Sequence, residues 1–172
     1  MAAWACLAGG LPDPAKPHIQ AVLVVLLGAA AAACVSAVAA ASSVPDVTDT
    51  QKLVVVAPLA GLAGWLTLAT VLNAADVAMT GGVAALSYAS PAQAPAAVAL
   101  LGAGLVGASA LSAARSNPWM ASTLVYGFIG AALSNALNPG HPYVAAAAVA
   151  AALLCSGPLL RVMRGGAAPR TA

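Results

Sequence analysis

Residues able to do chemistry are scarce in this 172-residue chain. Asp76 is the only acid near the interior of an apolar run, and Asn73 stands three residues before it on one helical face. His18 and His141 stand at the starts of two other apolar runs, with Asn138 beside the second. Ionisable groups in or next to a membrane-crossing run are the first place to look for function. An imidazole there would ligate the metal of a haem or chlorophyll, while Asn73 or Asp76 would hydrogen-bond the same ligand. The plainer reading leaves His18 (in Lys-Pro-His) and His141 (in Gly-His-Pro) facing water at the interface, and makes Asp76 a solvated helix end. Thr67, Thr70 and Asn73 recur every three residues, a pattern that points to hydrogen bonding with a neighbouring helix rather than a pore lining. Catalysis finds no support. No serine sits in a nucleophile elbow, and no Cys–His or carboxylate pair has a useful spacing. Cys6, Cys34 and Cys155 form an odd set without metal spacing. The expectation is a protein that is not an enzyme.

The composition says what must position these residues. Apolar residues make up 62% of the chain and charged residues 6%, with a mean hydropathy of +0.96. Soluble domains carry about 25% charged residues, so this chain cannot solvate a globular surface. More than a quarter of the residues are alanine, which favours helix. The net charge of +2 forms no basic stripe, which excludes nucleic acid as a partner. The expected fold class is all-α: a polytopic membrane protein with the lipid bilayer as its first partner.

A bilayer core of roughly 30 Å takes about 20 apolar residues per helix. Five runs qualify: Ile19–Ala41, Leu53–Met79, Pro95–Ala114, Pro118–Leu137 and Pro142–Leu160. They divide the chain into a short N-terminal segment (1–18), one five-helix transmembrane domain (19–162) and a basic tail (163–172). Pro95, Pro118 and Pro142 sit at helix starts, where a missing N–H costs nothing. Pro58 and Pro158 fall inside runs and predict kinks or early ends. Lys16, the first run and Ala39-Ala40-Ala41 before Ser42 also have the outline of a secretory signal, but the run is long for a signal core and reads as a retained helix. With five spans, one side of the membrane holds Lys16 and the other holds Lys52, Arg115, Arg161, Arg164 and Arg170. The positive-inside rule then predicts the N-terminus outside or lumenal, and the C-terminus in the cytoplasm, stroma or matrix.

Lipid tails are as apolar as leucine, so these helices must associate by close packing. Gly28 with Ala32, Ala60 with Gly64, Gly104 with Ala108 and Gly127 with Ala131 are small pairs at four-residue spacing. They predict a tight bundle, and the same faces suit another protein. Tyr88, Trp119 and Tyr143 stand at span ends, as interfacial anchors do.

One segment is distinctive. Ala57-Pro58-Leu59-Ala60-Gly61-Leu62-Ala63-Gly64-Trp65-Leu66-Thr67-Leu68-Ala69-Thr70-Val71-Leu72-Asn73 resembles a helix of the tryptophan-rich sensory proteins in the TspO/translocator-protein superfamily. Pro58, Gly64, Trp65, Thr67, Ala69, Thr70 and Asn73 follow the order of that helix. Asn117-Pro118-Trp119 through Gly130 is a weaker likeness, and the resemblance extends over about 53–160. The chain has three tryptophans and lacks the family's Trp-x-Pro-Pro-like segment. The resemblance implies a five-helix bundle that holds a porphyrin or another lipophile between helices, with Trp65, Thr70 and Asn73 lining the site.

Two functions follow. The favoured expectation is a non-catalytic accessory or scaffold subunit of a larger membrane assembly, photosynthetic or respiratory, packed against other subunits and in contact with pigment or lipid. The alternative is an independent TspO-like binder, sensor or transporter of a tetrapyrrole (haem, porphyrin or chlorophyll) or other lipophile. His18, Trp65, Thr70, Asn73, Asp76 and His141 are the candidate ligand-binding residues in either case, and no metal site or catalytic residue is expected.

Overall fold

The computed structural model describes residues 16–80, 94–137 and 142–164. Tyr88, Asn138 and His141 lie outside the described residues, as do the two chain termini. Every described element is helical. The order is α1 (Lys16–Ala41), a single turn α2 (Asp49–Gln51), a π-helical turn (Lys52–Val56), α3 (Ala57–Thr80), α4 (Ala94–Ala113), α5 (Pro118–Ala136), α6 (Pro142–Cys155) and α7 (Gly157–Met163).

The prolines explain where the helices start and break. Pro95 and Pro142 lie in the first turn of α4 and α6, and Pro118 opens α5. Pro58 has no N–H for the Val54 carbonyl, its partner in α register. The helix runs through this point in a wider turn, with the Ala57 N–H bonded to the Lys52 carbonyl five residues back. Pro158 likewise cannot serve the Leu154 carbonyl. There α6 stops at Cys155, and α7 departs at 55°. Upstream, α2 starts under a capping box: Thr48 Oγ1 accepts from the Gln51 N–H at 3.2 Å, and Gln51 Oε1 accepts from the Thr48 N–H at 3.0 Å.

The number of membrane-crossing helices differs from the expected five. Among the described residues, Ala21–Ala41 and Asp49–Ala74 are long and apolar enough to cross. A third qualifies if the bent pair α6–α7 crosses as one broken span. Ala97–Ala113 is apolar but short. Trp119, Ser122, Thr123, Tyr126, Ser134 and Asn135 dilute the apolar character of α5, which explains why hydropathy does not mark it as a span.

In the bundle, α3 packs against α1, α4 and α5, while α6 lies between α4 and α5. Among the described residues, the side chains of Phe128, Met120, Leu124, Val38 and Cys155 are the largest that are fully buried. Glycines set how closely the helices approach. A Cβ on Gly64 would lie 2.9 Å from the Met120 carbonyl oxygen, so α3 touches the backbone of α5 there. A Cβ on Gly104 would lie 2.8 Å from both Cα and Cβ of Ala151, which brings α4 and α6 into backbone contact. One turn on, Gly107 faces the Cys155 thiol. Gly28 meets the Thr70 methyl and Gly127 meets Leu68, so each glycine of the four small pairs lies at a helix–helix contact. The partner alanines divide: Ala60 is buried, Ala108 and Ala131 are half-buried, and Ala32 is exposed.

Candidate functional site

The expected ligand site is built on α3. The side chains of Thr67, Thr70 and Asn73 are satisfied within the helix. The Thr67 hydroxyl donates to the Ala63 carbonyl at 2.8 Å and the Thr70 hydroxyl to the Leu66 carbonyl at 2.7 Å. Asn73 Nδ2 donates to the Ala69 carbonyl at 2.7 Å. Each bond returns to the residue four back, the local alternative open to short polar side chains in a helix. The expectation that this stripe bonds a neighbouring helix is therefore corrected: the acceptors are α3's own carbonyls.

The three residues implied by the family resemblance do not converge either. A helix turns about 100° per residue, so Trp65 and Thr70 project roughly 140° apart. Trp65 is 46% exposed, on the outer surface beside the exposed Leu62. Thr70 is half-buried against α1, with its methyl 3.4 Å from where a Gly28 Cβ would stand. That contact closes the space between α1 and α3 at this level. Asn73 is half-buried one turn further on.

Topology brings the remaining candidates together only at the level of the fold. His18 lies in the first turn of α1, and Asp76 lies near the end of α3. These two helices are antiparallel neighbours, so both positions are at one end of the bundle. His141 lies outside the described residues.

The opposite end holds the feature that sequence reasoning missed. A pocket of about 260 Å³ opens where the C-terminus of α1, the connection to α2, the π-helical turn and the start of α5 meet. Val44, Val47, Val56, Pro118 and Trp119 give it apolar walls, with Ala41, Ser42, Lys52 and Asn117 completing the lining. The α4–α5 turn beside it is tight. Its cap pairs the Ser116 N–H with the Leu111 carbonyl at 2.7 Å and the Arg115 N–H with the Ser112 carbonyl at 3.1 Å. This is a Schellman-type ending that sets Arg115 at φ 55° and Ser116 at φ 56°, in the left-handed region. The next residue, Asn117, caps α5: its Oδ1 accepts from the Trp119 N–H at 3.0 Å and the Met120 N–H at 3.3 Å. The Asn-Pro dipeptide is a legible helix start. Its meeting with Lys52, far away in the chain, is not.

Basic residues gather at this same end. Gly104 faces Ala151 and Gly107 faces Cys155, so α4 and α6 run parallel. The chain therefore leaves α6 toward the α4–α5 turn, which puts Arg161 and Arg164 at the end that carries Lys52 and Arg115. No family model, curated protein or solved structure matches the chain. The likeness to the TspO superfamily rests on the residues of α3 quoted above.

Proposed function

We propose that this protein is a non-catalytic membrane-embedded subunit that joins a larger membrane assembly through the outer face of α1. In this reading all five long helices lie in the membrane, the three shorter or more polar ones shielded in part by their neighbours. The end bearing Lys52, Arg115, Arg161 and Arg164 faces the cytoplasm, stroma or matrix, as the positive-inside rule requires. The N-terminus then lies outside.

The observation that carries the reading is the surface of α1. Only 11% of its apolar window is buried, and its main neighbour is α3. The exposed residues of its first half are large, Val22, Val25 and Leu26. In the second half Ala29, Ala33, Ser36 and Ala40 are exposed in a line at helical spacing. Elsewhere the outer surface carries Leu105, Leu133 and Leu153, side chains that suit lipid. Small residues gain little from lipid and allow another helix to approach closely. The intrahelical bonds of Thr67, Thr70 and Asn73, with α1 closed over Thr70, speak for a packed scaffold rather than a cavity for a flat ligand.

The test is gentle solubilisation of the native membrane, followed by native-gel mass analysis and an absorbance spectrum. Migration within a large complex is expected, and Ala33→Leu should release the protein from it without unfolding it. A particle of one or two copies with a Soret band would overturn the scaffold reading in favour of a tetrapyrrole binder.

A further inference from the structure

The pocket at the basic end contains an unspent pair of donors. Asn117 is 8% exposed, and its Oδ1 is committed to the two N–H groups that open α5. Its Nδ2, on the other edge of the amide, has no acceptor among the described residues. A buried amide without an acceptor is costly unless something fills the role. Lys52 stands across the same pocket. One of its ammonium hydrogens goes to Asp49 Oδ1 at 3.1 Å in an exposed pair, which leaves two more to donate. Ser42 adds a third polar residue to the lining. A cavity lined by a lysine, an asparagine whose Nδ2 has no acceptor among the described residues and a serine suits an anionic ligand rich in oxygen.

The surroundings specify that ligand further. The walls formed by Val44, Val47, Val56, Pro118 and Trp119 are apolar, which a free inorganic anion would not use. Leu53, Val54 and Val55, which follow Lys52 directly, are exposed and give hydrocarbon chains a surface to lie along. Trp119 is exposed at the first turn of α5, the place of an interfacial indole. The volume of about 260 Å³ lies just below the roughly 300–1,000 Å³ of pockets for drug-sized ligands and suits a headgroup. At this end of the bundle Lys52, Arg115, Arg161 and Arg164 outnumber Asp46 and Asp49 among the described residues. We infer that this pocket binds the phosphate of an anionic phospholipid. Asn117 Nδ2 and Lys52 Nζ hold the phosphate oxygens, and the acyl chains pass over Leu53, Val54 and Val55.

The experiment uses the full chain in a maltoside detergent, titrated with phosphatidylglycerol, phosphatidylcholine or inorganic phosphate and read by native mass spectrometry. Phosphatidylglycerol should bind in preference to phosphatidylcholine, and equimolar inorganic phosphate should not displace it. Asn117→Asp keeps the helix cap, because aspartate also accepts from the first N–H groups, but replaces the two donors with a carboxylate. Loss of charge-assisted hydrogen bonds should weaken phosphatidylglycerol binding by about tenfold or more. Lys52→Gln, which removes only an exposed ion pair with Asp49, should weaken it by about threefold or more and erase the preference over phosphatidylcholine. Circular dichroism of both variants should match the parent protein. Wild-type phosphatidylglycerol binding in Lys52→Gln, or in folded Asn117→Asp, would overturn the assignment. Displacement of the lipid by equimolar phosphate would overturn its lipid part.

Discussion

Helices α1 and α6 are made of nearly the same material. The second half of α1 reads Gly-Ala-Ala-Ala-Ala-Ala-Cys-Val-Ser-Ala-Val-Ala-Ala-Ala, and α6 reads Pro-Tyr-Val-Ala-Ala-Ala-Ala-Val-Ala-Ala-Ala-Leu-Leu-Cys. Yet α6 is gripped by α4 and α5, burying Val144, Ala147, Ala148, Ala151, Ala152 and Cys155 and turning Tyr143, Val149, Leu153 and Leu154 outward. In α1 the lipid-sized residues lie outward only in the first half, while the second half shows alanine and serine. In α6 small residues mark the surface where another helix of the same chain comes close. Under the function proposed above, the small outward residues of α1 would receive a helix of a partner.

The strongest way to break this comparison is to enlarge the two small-residue faces in turn. Gly104→Val places side-chain carbon where Ala151 backbone already stands, and α4 and α6 cannot both keep their positions. A loss of about 3 kcal/mol or more is expected, read as a lowered unfolding midpoint in detergent. Gly64→Ala meets the Met120 carbonyl and Thr123 and should cost about 1–3 kcal/mol in the same assay. Asn117→Ala removes the cap of α5 and should cost about 1 kcal/mol, whereas Asn117→Asp should not. Smallest of all, Ala33→Leu on the outer face of α1 should change the midpoint of the isolated protein by no more than about 0.5 kcal/mol. Its effect should appear only in the native-membrane complex. A large loss of intrinsic stability from Ala33→Leu would erase the distinction between the two helices.

Much of the backbone was legible in the sequence. The apolar runs anticipate α1, α4 and α5 to within a few residues at each end, and the prolines mark the starts of α4, α5 and α6. Pro58 and Pro158 mark the π-helical turn and the break after Cys155 for a reason visible in any sequence, the missing N–H. The arrangement of the candidate site residues was less legible. Trp65, Thr70 and Asn73 are close in sequence and match a family's helix, but rotation about the axis sends Trp65 outward and Thr70 under α1. The short polar side chains had an acceptor available in their own helix, and no periodicity argument shows which acceptor wins.

By itself the sequence determined that the chain is helical, that it is apolar enough to supply membrane-crossing helices, and where several of those helices begin and break. These follow from local chemistry: alanine propensity, the scarcity of charge, and proline's absent donor. Tertiary structure decided which alanines are core and which are surface, because runs that are apolar on every side give no preference for one face. It also brought Lys52 and Asn117 to one pocket, since only the parallel and antiparallel packing of the helices makes neighbours of residues so far apart in the chain.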